Sequence, residues 1–151
     1  MDDQVPDRPL MVRVAAVADA TACAALLDVL GYPQNERDVE DRLKRAARSD
    51  EGAVFVAQAG EEIVGVISVQ CVPLFHTNAP LGRITSLVVA PGFRRCGAGR
   101  LLVAEAERFA RIKGCTRMEV TSGDHRADAH AFYEGAGYRS DCRRFIKTVP
   151  P

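Results

Sequence analysis

The sequence predicts a mixed α+β domain, and three observations predict it. Short apolar segments of strand character recur at 10–14, 53–59, 63–74, 83–90, 116–122 and 140–149. Between them, apolar residues at three- and four-residue steps mark helices ending near Leu30, Arg48, Lys113 and Gly135. The resulting order is β-α-α-β-β-β-α-β-α-β. Strands alternate with helices only in the second half, which favours a mixed sheet over a doubly wound one.

Leu10 to Val14 alternates apolar and polar residues, as a half-buried strand does. Asp19 or Thr21 can cap the helix that follows, and Ala22, Ala25, Leu26, Val29 and Leu30 form its apolar stripe. Gly31-Tyr32-Pro33 stops it. Asn35 can cap a second helix from Glu36 to Arg48, whose thin apolar content (Val39, Leu43, Ala46, Ala47) predicts a surface position. Ala53–Ala59 and Ile63–Leu74 flank the turn Gly60-Glu61-Glu62 and read as a hairpin, with Gly65 marking a bulge or a close backbone contact. A loop from Phe75 to Gly82 holds His76, Asn78 and Pro80. Arg83–Ala90 contains the continuous apolar run Leu87-Val88-Val89, expected of a central strand covered on both faces. The next helix carries a wide apolar arc from Leu101 to Ile112 and ends at Gly114. Thr116–Ser122 is a further strand, Arg126–Gly135 a short helix, and Ser140–Val149 a last strand.

The chain has 151 residues, enough for one domain with a sizeable core, and 47% of them are hydrophobic, which excludes a mostly disordered chain. The expected organisation is a short extension at 1–10 and a single domain over 11–151. Twenty basic and 20 acidic residues cancel, so charge provides no argument for nucleic acid or an anionic membrane as partner. Three lysines, Lys44, Lys113 and Lys147, leave the basic charge nearly all arginine, whose planar fork suits phosphate oxygens. Five widely spaced cysteines without a C-x-x-C pair argue against a disulfide framework or a zinc site. No metal is expected. The acidic, proline-broken residues 1–9 resemble no signal or transit peptide, and no apolar run approaches a membrane span, so a reducing cytoplasm is the expected compartment.

One stretch carries chemistry. Arg94-Arg95-Cys96-Gly97-Ala98-Gly99-Arg100 lies between a strand and a helix, after the breaker pair Pro91-Gly92. A helix start presents unpaired N–H groups and the positive end of the macrodipole, and glycines let a phosphate approach the backbone. Two readings fit the spacing: a pyrophosphate seat, or a sharp corner with a solvated basic rim.

Two patterns in order identify a family. Leu87-Val88-Val89-Ala90-Pro91 followed by Arg94-Arg95-Cys96-Gly97-Ala98-Gly99 resembles the acyl-CoA motif R/Q-x-x-G-x-G/A of the GCN5-related N-acetyltransferase (GNAT) family. Ala129-His130-Ala131-Phe132-Tyr133 with Gly137-Tyr138 resembles that family's A-x-x-F-Y-x-x-x-G-F segment. The resemblance covers residues 11 to 148. It implies a largely antiparallel sheet of about six to seven strands flanked by about four helices, with a splayed central strand pair holding acyl-CoA. It implies a cytoplasmic enzyme that transfers acetyl from acetyl-CoA to a primary amine of a small molecule or peptide, by direct attack in a ternary complex. The alternatives are a non-catalytic acyl-CoA-binding regulatory domain and a transferase for a longer acyl group.

The resemblance also implies roles. Backbone groups of Leu87, Val88 and Val89 would pair with the pantetheine arm and thioester carbonyl. Backbone N–H groups from Arg94 through Arg95, Cys96, Gly97, Ala98 and Gly99 to Arg100 would hold the pyrophosphate. Tyr133 would be the general acid at the CoA sulfur. Many relatives have asparagine where Arg126 stands, so Arg126 would replace a hydrogen bond to CoA with a charged contact, or be a solvated helix-start residue. His130 would pack beside Tyr133 or the cofactor. Where some relatives place a carboxylate base, this chain has Thr85 and Ser86. Met118-Glu119-Val120 resembles a Leu-Glu-Val strand whose glutamate is the base in other relatives, so Glu119 is the candidate, with a structural ion pair as its other reading and His76 in reserve. A homodimer through the exposed last strand is a further expectation.

Overall fold

Among the described residues, five strands and three of the four α-helices belong to one compact unit ending at Thr121, and Ser122–Pro151 form a second. The computed structural model describes residues 8–122 and 127–151. The sheet of the first unit has the order β1 (Leu10–Val14), β2 (Gly52–Ala59), β3 (Glu62–Val72), β4 (Leu81–Val89) and β5 (Arg117–Val120). The first four strands are antiparallel and β5 joins β4 in parallel. The parallel pair needs a crossover, and α3 (Ala98–Ile112) supplies it.

The β2–β3 hairpin closes on Gly60 and Glu61, with φ of +60° at Gly60 alone of the two. A positive φ at the first central position is the signature of a type II′ turn, which matches the strand twist.

Helices cover both faces of the sheet. On one face lie α1 (Ala20–Leu30) and α2 (Glu36–Ala47), whose Cys23, Ala24, Leu26, Val39 and Leu43 enclose Val56, Val66 and Val88 from three adjacent strands. The stripe of α1 is thus centred on Cys23, Ala24 and Leu26, and Val29 stays half exposed. The cap of α2 is Asn35, whose side chain accepts from the Arg37 N–H at 2.8 Å. On the opposite face α3 buries Leu102, Val103, Ala106 and Ala110, and Phe109 meets Phe55 edge to face at 6.1 Å.

Gly65 is both things the sequence allowed. The register of β2 against β3 shifts beside it, with Val64 as the extra residue. A Cβ there would also stand 3.0 Å from Leu102 Cδ1 and 3.2 Å from the Val88 carbonyl oxygen. The absent side chain lets α3 press onto the sheet.

The second unit contains α4 (Ala127–Gly135) and a C-terminal segment. The expected last strand over Ser140–Val149 is not formed, so the sheet has five strands rather than six to seven. The segment is exposed throughout, and its apolar residues Phe145 and Ile146 are neighbours rather than alternating. A strand with no apolar face and no ladder partner has nothing to offset its ordering entropy. The edge expected to mediate a homodimer is therefore not present as a strand. Among the described residues, no helix is long and apolar enough to cross a membrane.

Candidate active site

The strands β4 and β5 part company. Parallel rungs join Leu81 to Arg117, Gly82 to Met118, Arg83 to Glu119 and Ile84 to Val120, and there the pairing stops. β4 continues to Val89, paired among the described residues with β3 on its other side. The separation begins at a bulge: Ser68 opposes Ser86 and Val69 opposes Ile84, which leaves Thr85 as the extra residue. A bulge increases local twist and bends its strand. The Thr85 hydroxyl contacts the Ser68 hydroxyl across the bulge.

The unpaired side of β4 presents backbone groups. The Ala90 N–H donates to the Val64 carbonyl on the β3 side at 2.8 Å. Amides alternate along an extended strand, so those of Val89 and Leu87 point the other way, into the space that β5 has left. Val88 is 6% exposed and packs its side chain under α1 and α2, which fixes this backbone in place.

From the end of β4 the chain enters the glycine-rich corner. A single 3₁₀ turn spans Pro91–Phe93, Arg94 is extended, and α3 starts at Ala98. Arg95 has φ of +65° and Gly97 has φ of +91°. Alternating backbone signs of this kind turn successive N–H groups toward one concavity, the geometry of an anion nest. Arg95 is, among the described residues, the one non-glycine residue in the left-handed region. The N-cap, Gly97, provides no side-chain acceptor. Among the described residues, Leu101 is the first α3 amide to meet a backbone carbonyl, that of Gly97 at 3.1 Å. The amides of Ala98, Gly99 and Arg100 are thus left at the positive end of the helix dipole. A Cβ on Gly97 would meet nothing within 4 Å, so the surroundings leave open space there. Arg94, Arg95 and Arg100 are exposed around it, and the Cys96 thiol donates to the Phe93 carbonyl. The corner thus has the backbone, the dipole and the charge to seat a phosphate.

Glu119 is placed differently. Its carboxylate accepts from Arg83 Nη2 at 3.2 Å, with the two side chains 40% and 49% exposed. The structural ion pair that the sequence allowed therefore exists, with Arg83, the opposing residue of β4. Arg83 is six positions before Val89 along β4, roughly 20 Å of strand at ~3.3 Å per residue. The structure separates the candidate base from the Val89 amide by that length. His76 is exposed on the loop between β3 and β4.

The second unit carries the remaining candidates. Tyr133 is half-buried on α4, edge to face with Phe132 at 5.3 Å and with Tyr138 at 5.9 Å. The Tyr138 N–H closes the helix on the Tyr133 carbonyl at 2.9 Å, with Gly137 at φ of +94°. His130 is half-buried on the same helix. The expectation for Arg126 falls outside the described residues. Sequence reasoning did not single out Arg83 or the Ser68–Thr85 contact, because both depend on which residues oppose each other across the sheet.

Residues 20–138 match the family described as "Acetyltransferase (GNAT) family". The chain is 31% identical over 146 residues to an aminoglycoside N(6′)-acetyltransferase type 1 of Stenotrophomonas maltophilia, a match covering 92% of each protein. It is 38% identical over 88 residues to an aminoalkylphosphonate N-acetyltransferase of Salmonella typhimurium, covering 58% of this chain and spanning 57% of that relative's length. Among solved structures, a GNAT family acetyltransferase of Staphylococcus aureus superposes with a TM-score of 0.77 at 27% identity, covering 93% of this chain and 98% of the other.

Proposed function

This chain belongs to the GNAT acetyltransferase family and is an acyltransferase, and from that premise we propose that it moves acetyl from acetyl-CoA to a primary amine by direct attack in a ternary complex. The observation that carries the reading is the continuity of β4. Beyond Ile84 its free edge runs straight into the uncapped, positively charged start of α3. A thioester arm pairing with that edge would deliver its pyrophosphate to the corner. The named relatives act on amines of small molecules, which supports a small-molecule acceptor over a peptide.

The chemistry asked of the residues is limited. The neutral amine attacks the thioester carbonyl, forming C–N as C–S breaks. The Val89 N–H faces the fork and is the donor for the developing oxyanion; such a donor is worth ~3 kcal/mol. Tyr133 gives its proton to the departing thiolate. Given the strand length between Glu119 and Val89, the amine's proton leaves through water, with Glu119 as the terminus. A positioned acid or base of this kind contributes roughly 10²–10⁴ in rate. Leu87, Val88 and Val89 hold the pantetheine arm, the amides from Arg94 to Arg100 hold the pyrophosphate, Arg126 replaces a hydrogen bond to CoA with a charged contact, and His130 packs beside Tyr133 or the cofactor.

The test is an acetylation screen across amines with release of the CoA thiol as readout. Tight acetyl-CoA binding without thiol release for any amine would turn the reading toward a regulatory domain. Release from longer acyl-CoA donors alone would redirect it to another acyl group.

A further inference from the structure

Two thiols far apart in the sequence meet under the C-terminal end of α3. Gly65, Ile67, Val69 and Cys71 alternate along β3 and share the face that α3 covers. Cys71 opposes Gly82 of β4, and Gly82 opposes Met118 of β5. Residues opposed across paired strands share a face. A Cβ on Gly82 would stand 3.0 Å from the Ala110 Cβ and 2.5 Å from the Met118 sulfur, so this row lies beneath the last buried turn of α3. Cys71 is 7% exposed there. Its N–H donates to the Glu51 carbonyl at 2.7 Å, which fixes its backbone.

Cys115 reaches the same place from the helix. Beyond α3, Gly114 has φ of +89° and its N–H donates to the Arg111 carbonyl at 3.0 Å, while the Cys115 N–H reaches back to the Ala110 carbonyl at 2.9 Å. This is a Schellman turn, which folds the residue after the glycine onto the end of the helix. The residue folded back is Cys115, on the same Ala110 that covers Gly82. Its thiol shares a hydrogen bond with that of Cys71. The two thiols are unequal. Burial, then the hydrogen bond to Cys115, push the Cys71 thiol up to about 11, with the Lys113 ammonium opposing and Glu51 adding. Cys71 therefore stays a thiol at neutral pH, and the half-buried Cys115 is the sulfur that an oxidant can reach.

We propose that Cys71 and Cys115 are a peroxide-responsive pair that closes to an intramolecular disulfide and ties the α3–β5 connection to β3. The Cys115 thiolate attacks one peroxide oxygen, the O–O bond breaks, and the departing hydroxide leaves with the Cys115 proton as water, giving a sulfenic acid. The Cys71 sulfur then attacks the Cys115 sulfur, forming S–S as the S–O bond breaks, and this second hydroxide takes the Cys71 proton. Two thiols and one hydrogen peroxide become one disulfide and two waters; the sulfurs give up two electrons and the peroxide gains them. The loop so closed contains β4 and α3, long enough for the cross-link to restrict the unfolded chain strongly.

The test treats the full chain with hydrogen peroxide at mildly alkaline pH, alkylates the remaining thiols in denaturant, and maps its peptides by mass spectrometry without reduction. The expected product is a Cys71–Cys115 cross-linked peptide that dithiothreitol removes. The midpoint of thermal unfolding should lie about 5 °C or more above that of the reduced protein. Because Cys71 is part of the core, the deciding variant is Cys115→Ser, on the half-buried member, which should abolish both the peptide and the shift. A Cys96→Ser, Cys142→Ser double variant should keep both. Three results would each overturn the proposal: Cys115 carried on to the sulfinic or sulfonic acid with Cys71 alkylated, a cross-link through Cys23, Cys96 or Cys142 instead, or both members of the pair alkylated in full after peroxide.

Discussion

Arg13 and Asp19 form a two-pronged ion pair that ties β1 to the start of α1, with Nη1 2.7 Å from Oδ2 and Nη2 2.9 Å from Oδ1. The Asp19 Oδ2 also accepts the Ala16 N–H at 2.7 Å, which closes the 3₁₀ turn Val17–Asp19. Asp19 is 7% exposed, the one buried charged residue among those described. Hydrogen bonding to Arg13 holds its carboxyl below the usual value of 3.8 against the opposing effect of burial. A depressed carboxyl contributes stability above its unfolded value and loses it as pH falls through its folded value. In urea unfolding, the pair's contribution should be intact at neutral pH and should fade below pH 3.8. Asp19→Ala should cost about 2–3 kcal/mol at pH 7, because it strands Arg13 and the Ala16 amide. The gap between the two proteins should narrow on acidification; a gap that persists unchanged would place the effect elsewhere.

Gly65 should not tolerate a methyl group. The added Cβ would press on Leu102 Cδ1 and on the Val88 carbonyl, and the backbone oxygen cannot swing aside. Gly65→Ala should lower stability by about 1–3 kcal/mol, the usual range for overpacking. Pairing it with Leu102→Ala should recover part of the Gly65→Ala cost, and thermal unfolding of the four proteins in that cycle measures the coupling.

The glycine-rich corner separates backbone from charge. Gly97→Val adds a branched side chain to a residue at φ of +91°, in the space where a phosphate would sit. It should weaken acetyl-CoA binding by more than tenfold, a loss of about 1.4 kcal/mol or more. Arg95→Ala should weaken it less, by roughly the 0.3–1 kcal/mol of one exposed charge near a helix start. Arg95→Gly should match Arg95→Ala in binding yet exceed it in stability, since glycine relieves a φ of +65° that costs roughly 1–2 kcal/mol. The reverse ranking of Gly97 and Arg95 would move phosphate binding from amides to side-chain charge.

Tyr133 and Glu119 should differ in what they change. Tyr133→Phe should lower kcat by about 10²-fold or more with acetyl-CoA affinity preserved, as loss of a general acid does. Glu119→Gln should shift the pH dependence of kcat/KM if the carboxylate ends the proton's path. An unaltered profile would leave Glu119 as the partner of Arg83 alone.

Several features were legible in the linear sequence because each is written locally. Asn35 announces a cap, Gly31 and Gly114 announce helix ends at positive φ, and Arg94 to Gly99 announces a strand-to-helix corner. Local chemistry also suggested a strand at Ser140–Val149, and there it misled. A strand exists only if another backbone pairs with it, and propensity does not supply the partner.

Element order, the covered central strand and the glycine-rich corner were thus determined by the sequence itself, because period, capping and turn chemistry act over a few residues. The tertiary structure decided what those elements meet. The bulge at Thr85, the end of the β4–β5 ladder at Ile84 and the opposition of Arg83 to Glu119 all follow from register, which joins residues 36 positions apart. Register is set by packing both sheet faces against α1, α2 and α3 at once, so no single segment encodes it.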